Sequence, residues 1–255
     1  MVIMQHSVLF YIILFLAAFF AGLVDSIAGG GGIITVPVLL GIGLPPHIAL
    51  GTNKFQSSFG SFTAAYYYIR KNIVNLRKAV PGIVFTLIGA TAGVITVQHI
   101  DAKALNYIIP IMLLIIVAYT IINPTIGEKD RKPVLNDTMY YAIFGLGLGF
   151  YDGFFGPGVG SFWAMAFVIL LGYNFKKATG YTKVMNFVSN IVSFILFTAG
   201  GFVVFSAGIV MAVGQIAGSK IGANLVIKKG AKFIRPIFIT VVVLTLIKII
   251  YDRLL

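Results

Sequence analysis

Long apolar runs with few or no charges make up most of the chain. Such runs cover 7–24, 80–97, 178–197 and 206–227, and each comes close to the roughly 20 residues that an α-helix needs to cross a bilayer. Backbone groups in hydrocarbon must hydrogen-bond within the protein, and the alternation typical of transmembrane β-strands is not found in these runs, so we predict helices. Shorter or more polar segments are predicted over 33–42, 46–70, 105–122, 139–154, 159–171 and 236–251.

Two glycine-rich breaks interrupt this pattern. Gly29–Gly32 follows the first span, and Gly156–Gly160 lies between two later segments. Irregular backbone at membrane depth is tolerated only where it is buried in protein or lines a cavity. The half-helix after each break presents free N–H groups and a partial positive charge, which suit an anion; a tight hairpin turn without a ligand is the alternative. The candidate contacts to an anion here are Gly30, Gly31 and Gly158.

The same landmarks recur in both halves of the chain, 125 to 129 positions apart. Asp25 and Asp152 each precede a break by four positions, and the elements Gly51-Thr52-Asn53-Lys54 and Gly180-Tyr181-Thr182-Lys183 follow in the same order. We therefore predict two homologous membrane repeats, 1–122 and 139–255, joined by a cytoplasmic linker over 123–138. The small-residue motifs Gly89-x-x-x-Gly93 and Gly214-x-x-x-Gly218 also correspond, and we assign them to helix packing.

Loop charges predict that the two repeats are inverted. Loop 70–78 carries four basic residues and should be cytoplasmic, whereas its counterpart 200–208 carries none and should lie outside. Corresponding loops on opposite faces require that the repeats are inverted. The predicted fold is therefore an all-α polytopic membrane protein with two inverted repeats of about five helical segments each. In that arrangement 139–154 and 159–171 either cross separately or form a re-entrant hairpin. The alternative is a single long broken helix, which would give four spans per half and a parallel repeat.

Ionisable residues within the apolar segments are the strongest candidates for chemistry, since each costs about 2.5–3.5 kcal/mol at a helix centre. Lys220 is expected to snorkel to the headgroups. Lys54 and Lys183 enter from opposite faces, so an inverted repeat brings them to one midmembrane cavity as substrate-binding cations. Because removing such a lysine removes an insertion penalty, we expect a Lys54→Met variant to insert at least as well as the parent. The polar neighbours counted with this site are Asn53, Thr52, Gln56, Thr182 and Asn186; they donate hydrogen bonds to an oxyanion or, alternatively, join helices.

Asp25 and Asp152 have three open roles. They cap the broken turns, pair with the lysines, or titrate as coupling groups in a proton relay. Capping or structural pairing is our working interpretation.

Composition excludes several classes of protein. Hydrophobic residues make up 59% of the chain and charged residues 10%, against about 25% charged in soluble domains, so a soluble enzyme is excluded. There is no cysteine, and His6, His47 and His99 are too far apart for a helical metal pair. The net charge of +12 lies mostly in loops, which indicates a cytoplasmic membrane face and no nucleic acid. We expect no enzyme activity, no catalytic residue, no metal and no cofactor.

These motifs carry a family resemblance. Asp25 with its four glycines, Gly51-Thr52-Asn53-Lys54 with Gln56, and Gly180-Tyr181-Thr182-Lys183 with Asn186 resemble the TauE/SafE sulfite exporter family, also called the sulfonate permease (TSUP) family. The resemblance covers nearly the whole chain and implies transport of sulfite or small organosulfur anions across the bacterial inner membrane. The second half departs from the pattern at Phe154-Phe155-Gly156-Pro157 and at Tyr181, which leaves the exact substrate open.

Taken together, the sequence predicts a multi-pass transporter of the cell (inner) membrane that works by alternating access. A potential negative inside helps to expel an anion by about 2.3 kcal/mol per charge per 100 mV, so we expect export. The alternatives are an anion channel and an uptake permease for another small anion. Expected partners are the small inorganic or organosulfur anion, the lipid bilayer and, as a coupling ion, protons; a homodimer is left open as an alternative to a monomer.

Overall fold

A computed structural model describes residues 8–105, 107, 111 and 130–229, and every regular element within them is helical. We number the eight main helices of these ranges in chain order. They are α1 (Val8–Ala28), α2 (Gly31–Gly41), α3 (Pro46–Arg70), α4 (Leu76–Gln98), α5 (a continuous run of Asp137–Tyr140, a π-helical turn Tyr141–Gly145 and Leu146–Phe154), α6 (Val159–Leu170), α7 (Phe175–Ala199) and α8 (Phe205–Lys229).

The prediction of an all-α polytopic membrane protein is confirmed. Four stretches of α1, α4, α7 and α8 are long and apolar enough to cross a membrane: Val8–Ile27, Leu76–Gln98, Phe175–Ala199 and Phe205–Lys228. The predicted spans 105–122 and 236–251 lie outside the described residues, apart from Leu105, Tyr107 and Ile111. The prediction of five segments in each half therefore stays a prediction.

Asparagine side chains fix several helix starts. Asn75 accepts hydrogen bonds from the backbone N–H groups of Arg77 and Lys78 at the start of α4. Asn136 and Asn174 accept equivalent bonds at the starts of α5 and α7. These side chains satisfy amides that have no partner within their own helix.

The apolar side chains of α1 divide into two faces. Leu9, Ile13, Leu16 and Phe20 recur at helical spacing and are 65%, 50%, 46% and 53% exposed. Leu14, on the opposite face, is fully buried. An exposed apolar stripe of this length is typical of a helix whose outer solvent is lipid.

Each glycine break joins two helices into a hairpin. Val134, just before α5, donates its N–H to the carbonyl of Leu170 at the end of α6 (2.7 Å), so α6 returns to the end from which α5 starts. In the first half, Leu39 of α2 clusters with Leu14 and Ala18 of α1. This arrangement contradicts the alternative of one long broken helix. At 11 and 12 residues, α2 and α6 are also too short to span, which favours re-entrant hairpins.

Helices from the two halves pack in matching pairs. α1 packs on α8, where Gly214 and Gly218 lie against the backbone of Phe15 and Phe19. Its counterpart α5 packs on α4, where Gly89 and Gly93 lie against the backbone of 146–150 and 150–154. In both pairs, higher residue numbers on one helix contact higher residue numbers on the other, so the two helices run parallel. The predicted packing role of these glycine motifs agrees with the geometry.

The central helices α3 and α7 run antiparallel. The ring centroids of Phe55 and Phe194 lie 4.8 Å apart, and those of Phe62 and Phe187 lie 5.2 Å apart. Higher residue numbers on α3 therefore contact lower residue numbers on α7. Antiparallel packing of corresponding helices is what an inverted repeat requires, and it supports that prediction.

The basic loops meet at one end of the molecule. The Tyr181 hydroxyl, near the start of α7, hydrogen-bonds with the backbone N–H of Asn75 (3.2 Å), in the loop before α4. Arg131 in the linker donates its N–H to the carbonyl of Gly172. At the other end Gln98 donates to the carbonyl of Leu196 (3.1 Å). The cytoplasmic assignment of the first end stays a prediction.

Candidate functional site

The Lys54 ammonium lies in the interior, bound to the second half of the chain. Its Nζ atom is 2.5 Å from Oδ1 of Asp152, and the two side chains are 1% and 3% exposed. The ammonium also donates to the backbone carbonyl of Asp152, and the Ser189 hydroxyl of α7 donates to Oδ2 of the same carboxylate. Asp152 thus holds an ammonium from the first half and a hydroxyl from its own half.

Lys183 makes the corresponding contact with the first half. Its Nζ atom lies 2.9 Å from Oδ2 of Asp25, and the Lys183 side chain is fully buried. Oδ1 of Asp25 accepts the backbone N–H of Gly31 at the start of α2 (3.3 Å). Asp25 therefore both accepts an N–H at the start of the broken helix and pairs with a lysine.

The two pairs join the halves crosswise and make the site neutral. Each half supplies its lysine from the central helix and its aspartate from the helix that precedes the break. Lys54 and Lys183 were predicted to be cations that face a cavity, but each is paired with a carboxylate in this conformation. Separating either pair would leave a buried, uncompensated charge, which costs several kcal/mol in typical proteins.

Glycine at the second break makes room for Lys54. Gly156 has a φ of +98°, which a residue with a Cβ adopts only with strain. A Cβ atom there would lie 2.6 Å from Nζ of Lys54 and 2.9 Å from Oδ1 of Asp152. A side chain at this position would crowd the ammonium and its carboxylate, so the ion pair in this geometry requires glycine at the break.

The two breaks also touch. A Cβ on Gly29 would overlap the backbone of Gly160, and a Cβ on Gly160 would lie 3.0 Å from Nδ2 of Asn186. Gly30 and Gly158, the residues directly before α2 and α6, are both buried. The predicted contact glycines thus lie where the two hairpins meet, beside the ion pairs.

The polar residues next to Lys54 bond mainly to one another. Oδ1 of Asn53 accepts from the Thr35 hydroxyl (2.5 Å) and from Nε2 of Gln56 (2.8 Å). Thr52 points elsewhere, since its hydroxyl accepts the N–H of Val204 in the loop before α8 (3.0 Å). Asn53 therefore ties α2 to α3, and Thr52 anchors the loop between α7 and α8.

Three predicted site residues keep unpaired polar atoms. Oε1 of Gln56, Oγ1 of Thr182 and Oδ1 of Asn186 are buried and have no hydrogen-bond partner within the part of the chain that the structure describes. Buried polar atoms almost always have a partner. These atoms, on the two central helices, are therefore places where water or a ligand would bind.

Sequence reasoning missed Ser189 and Thr35. Ser189 lies six residues after Lys183 on α7, and Thr35 is the one hydroxyl-bearing residue of α2. Both are fully buried. For Thr35 the available signal was a polar residue in an otherwise apolar segment, whereas Ser189 is one of several polar residues on α7. Neither lies within a motif shared by the two halves.

Comparison with known proteins identifies the family. The chain matches the family model described as Sulfite exporter TauE/SafE over residues 14–249. It is 43% identical over 240 residues to the probable membrane transporter protein YfcA of Escherichia coli (strain K12), which covers 94% of this chain and 89% of that protein. A probable membrane transporter protein of Haemophilus influenzae is 42% identical over 241 residues, 94% of each chain.

More distant similarity extends to Bacillus subtilis (strain 168), whose probable membrane transporter protein YdhB is 25% identical over 238 residues, covering 89% of this chain and 96% of that protein. No solved structure matches the chain. The family match includes both glycine breaks and both lysine motifs. The resemblance drawn from those motifs is confirmed, and the chain belongs to the TauE/SafE sulfite exporter family of membrane transporters.

Proposed function

We propose that this transporter moves sulfite or a small organosulfur anion across the cytoplasmic membrane, in the outward direction, by alternating access. The observation that carries the proposal is the pair of buried lysines, each beside a glycine break and each already holding one carboxylate. An anion that leaves water needs fixed positive charge to replace its hydration. Lys54 and Lys183 are the buried cations in the described part of the chain.

Several features favour a small oxyanion. The site has ammonium groups, the N–H of Gly31 and the unpaired Thr182 hydroxyl, all of which donate to oxygen. The space between the breaks is narrow, because Gly29 and Gly160 are in backbone contact. A compact anion such as sulfite or a short sulfonate suits this arrangement better than a bulky one.

The direction of transport follows from the membrane potential. With the cytoplasm negative, an anion gains about 2.3 kcal/mol per charge per 100 mV on leaving the cell. Export therefore runs without a coupling ion, whereas uptake needs one. Asp25 and Asp152 supply the carboxylates that proton coupling would use.

The test uses purified protein reconstituted in liposomes. Vesicles loaded with sulfite, sulfate, thiosulfate or ethanesulfonate are given a potassium diffusion potential of either sign, and efflux is followed. We expect saturable efflux of sulfite or a sulfonate that is faster when the loaded side is negative. The same protein should exchange labelled for unlabelled anion.

Other outcomes would favour the alternatives. Flux that does not saturate, together with no exchange, would indicate an anion channel. If the efflux of all four anions is no faster than from liposomes without protein, the proposed substrate class is wrong. Lys183→Met is the site control and Lys177→Met the surface control, since the Lys177 side chain is 33% exposed.

A further inference from the structure

The two buried ion pairs are held with different strength. Lys54 and Asp152 are both sealed from solvent, whereas the Asp25 side chain keeps 20% of its surface exposed. Lys54 donates to two oxygens of Asp152, and Ser189 donates to the third. Lys183 has one acceptor among the described residues, the Asp25 carboxylate. The pair of Lys183 with Asp25 is therefore the one that can open in this conformation.

Asp25 lies on the inner side of α1, opposite the lipid-facing stripe. Leu16 belongs to the lipid-facing stripe of α1 and is 46% exposed. Asp25 follows nine residues later, which is two and a half turns at 3.6 residues per turn, and so lies on the opposite side of the helix. Its carboxylate therefore lies on the side of α1 that faces the other helices, where it meets Lys183.

Lys183 has hydrogen bonds left to give. An ammonium carries three donors, and one is used by Asp25 although the side chain is fully buried. On the same helix, the Thr182 hydroxyl, which can also donate, has no partner in the described ranges. A ligand with several oxygens at Lys183 would satisfy donors that Asp25 alone does not.

We propose that the Asp25 carboxylate is a built-in competitor that occupies the anion site at Lys183. The transported anion binds to the Lys183 ammonium and the Gly31 N–H when the carboxylate turns away from them, and the returning carboxylate displaces the anion. The proposal rests on the proposed function and names Lys183 as the first binding group. Asp152 stays bound to Lys54 during this exchange.

The exchange of the Asp25 carboxylate for the substrate anion explains why the buried Lys183 has a carboxylate partner. An empty Lys183 would be an unpaired charge in a dry interior, and a permanently bound substrate would not leave. A tethered carboxylate removes both problems, because it neutralises the lysine between substrates and competes with the anion for release. Affinity in the parent protein is therefore lower than the site itself allows.

The experiment compares anion affinity in purified variants. Asp25→Asn removes the competitor and leaves Lys183 in place, so sulfite or ethanesulfonate should bind at least tenfold more tightly than to the parent, while efflux from liposomes slows. Asp25→Glu retains a carboxylate and should stay within about threefold of the parent. Asp130→Asn, which removes a carboxylate from the exposed pair with Lys177, is the matched control and should change nothing.

A second variant keeps the test possible if Asp25→Asn does not fold. Asp25→Ser removes the charge and replaces the carboxylate by a shorter polar side chain. It should reproduce the gain in affinity if Asp25→Asn does not purify in folded form. Adding Lys183→Met to either variant should abolish binding, because the gain depends on the freed ammonium.

The results separate this inference from the proposed function. A parent that binds sulfite or ethanesulfonate, with folded Asp25→Asn and Asp25→Ser binding equally or more weakly, overturns the competitor role alone. If neither the parent nor the variants bind either anion, the competitor role and the proposed substrate class both fail. Binding by the variants alone would support the competitor role, and the liposome assay would then decide whether the parent transports the anion.

Discussion

Replacing Lys54 by methionine should destabilise the protein strongly. Methionine preserves most of the side-chain volume but leaves the Asp152 carboxylate buried at 3% exposure without its cation. Removing one partner of a buried pair typically costs about 3–5 kcal/mol. At roughly 2–4 °C per kcal/mol for a chain of this size, the melting temperature should fall by about 6–20 °C. From the sequence alone, we expected the variant to insert into the membrane at least as well as the parent, because a buried charge is lost.

The assay follows the monodisperse fraction of a fluorescently tagged, detergent-purified protein after heating. The double variant Lys54→Met with Asp152→Asn removes both charges and should recover most of the loss, because a neutral pair leaves no unpaired ion. Lys177→Met serves as the control, since its ion pair with Asp130 is 3.9 Å long and its two side chains are 33% and 54% exposed. Such pairs contribute about 0–1 kcal/mol.

One outcome would refute the reasoning. If Lys54→Met melts within about 2 °C of the parent and Asp152→Asn does so as well, the carboxylate is not held by this lysine under the conditions of the assay. A large loss that the double variant fails to restore would mean that Lys54 acts through packing, and the ion pair would carry no stability of its own.

Three further predictions concern packing, topology and the α2 contact. Gly153→Ala should lower the melting temperature, since its Cβ would overlap the carbonyl of Ala90, whereas Gly147→Ala on the same helix meets nothing within 4 Å and should be neutral. The chain has no cysteine, so Lys71→Cys and Ser206→Cys can be labelled singly with an impermeant reagent; labelling of both from one side would contradict the inverted repeat. Thr35→Val should slow anion efflux by loosening α2 from α3, and an unchanged rate would mean that this contact does not affect transport.

The spans and breaks were predictable because the lipid solvent restricts the sequence so severely. Hydrocarbon accepts few charges and no unpaired backbone, so apolar runs such as those of α1 and α4 and the glycines between them appear directly in the residue order. The predicted starts of α3 and α6, at about 46 and at 159, agree with the structure. The motifs recur in the two halves because the lipid solvent restricts both halves in the same way.

The partner of each lysine was much harder to predict. Position along an apolar run indicates depth in the membrane, but it does not indicate which way a side chain points or which helix it faces. Lys54 and Asp152 are 98 positions apart and meet only because α3 and α5 pack around the same centre. The cost of burying unlike charges separately makes their pairing physically sensible, yet that argument alone does not choose between Asp25 and Asp152.

The unequal exposure of the two aspartates suggests a final prediction. Corresponding residues in a symmetric assembly would be equally exposed, but Asp25 is 20% exposed and Asp152 is 3% exposed. In alternating access by inverted repeats, each half adopts in turn the conformation of the other. We therefore expect a second state in which Asp152 is exposed and Asp25 is sealed. Asp25→Cys should react with a charged thiol reagent from one side of the membrane, and Asp152→Cys from the opposite side, with sulfite shifting the two rates in opposite directions. Reaction of both from the same side would rule out this exchange of conformations.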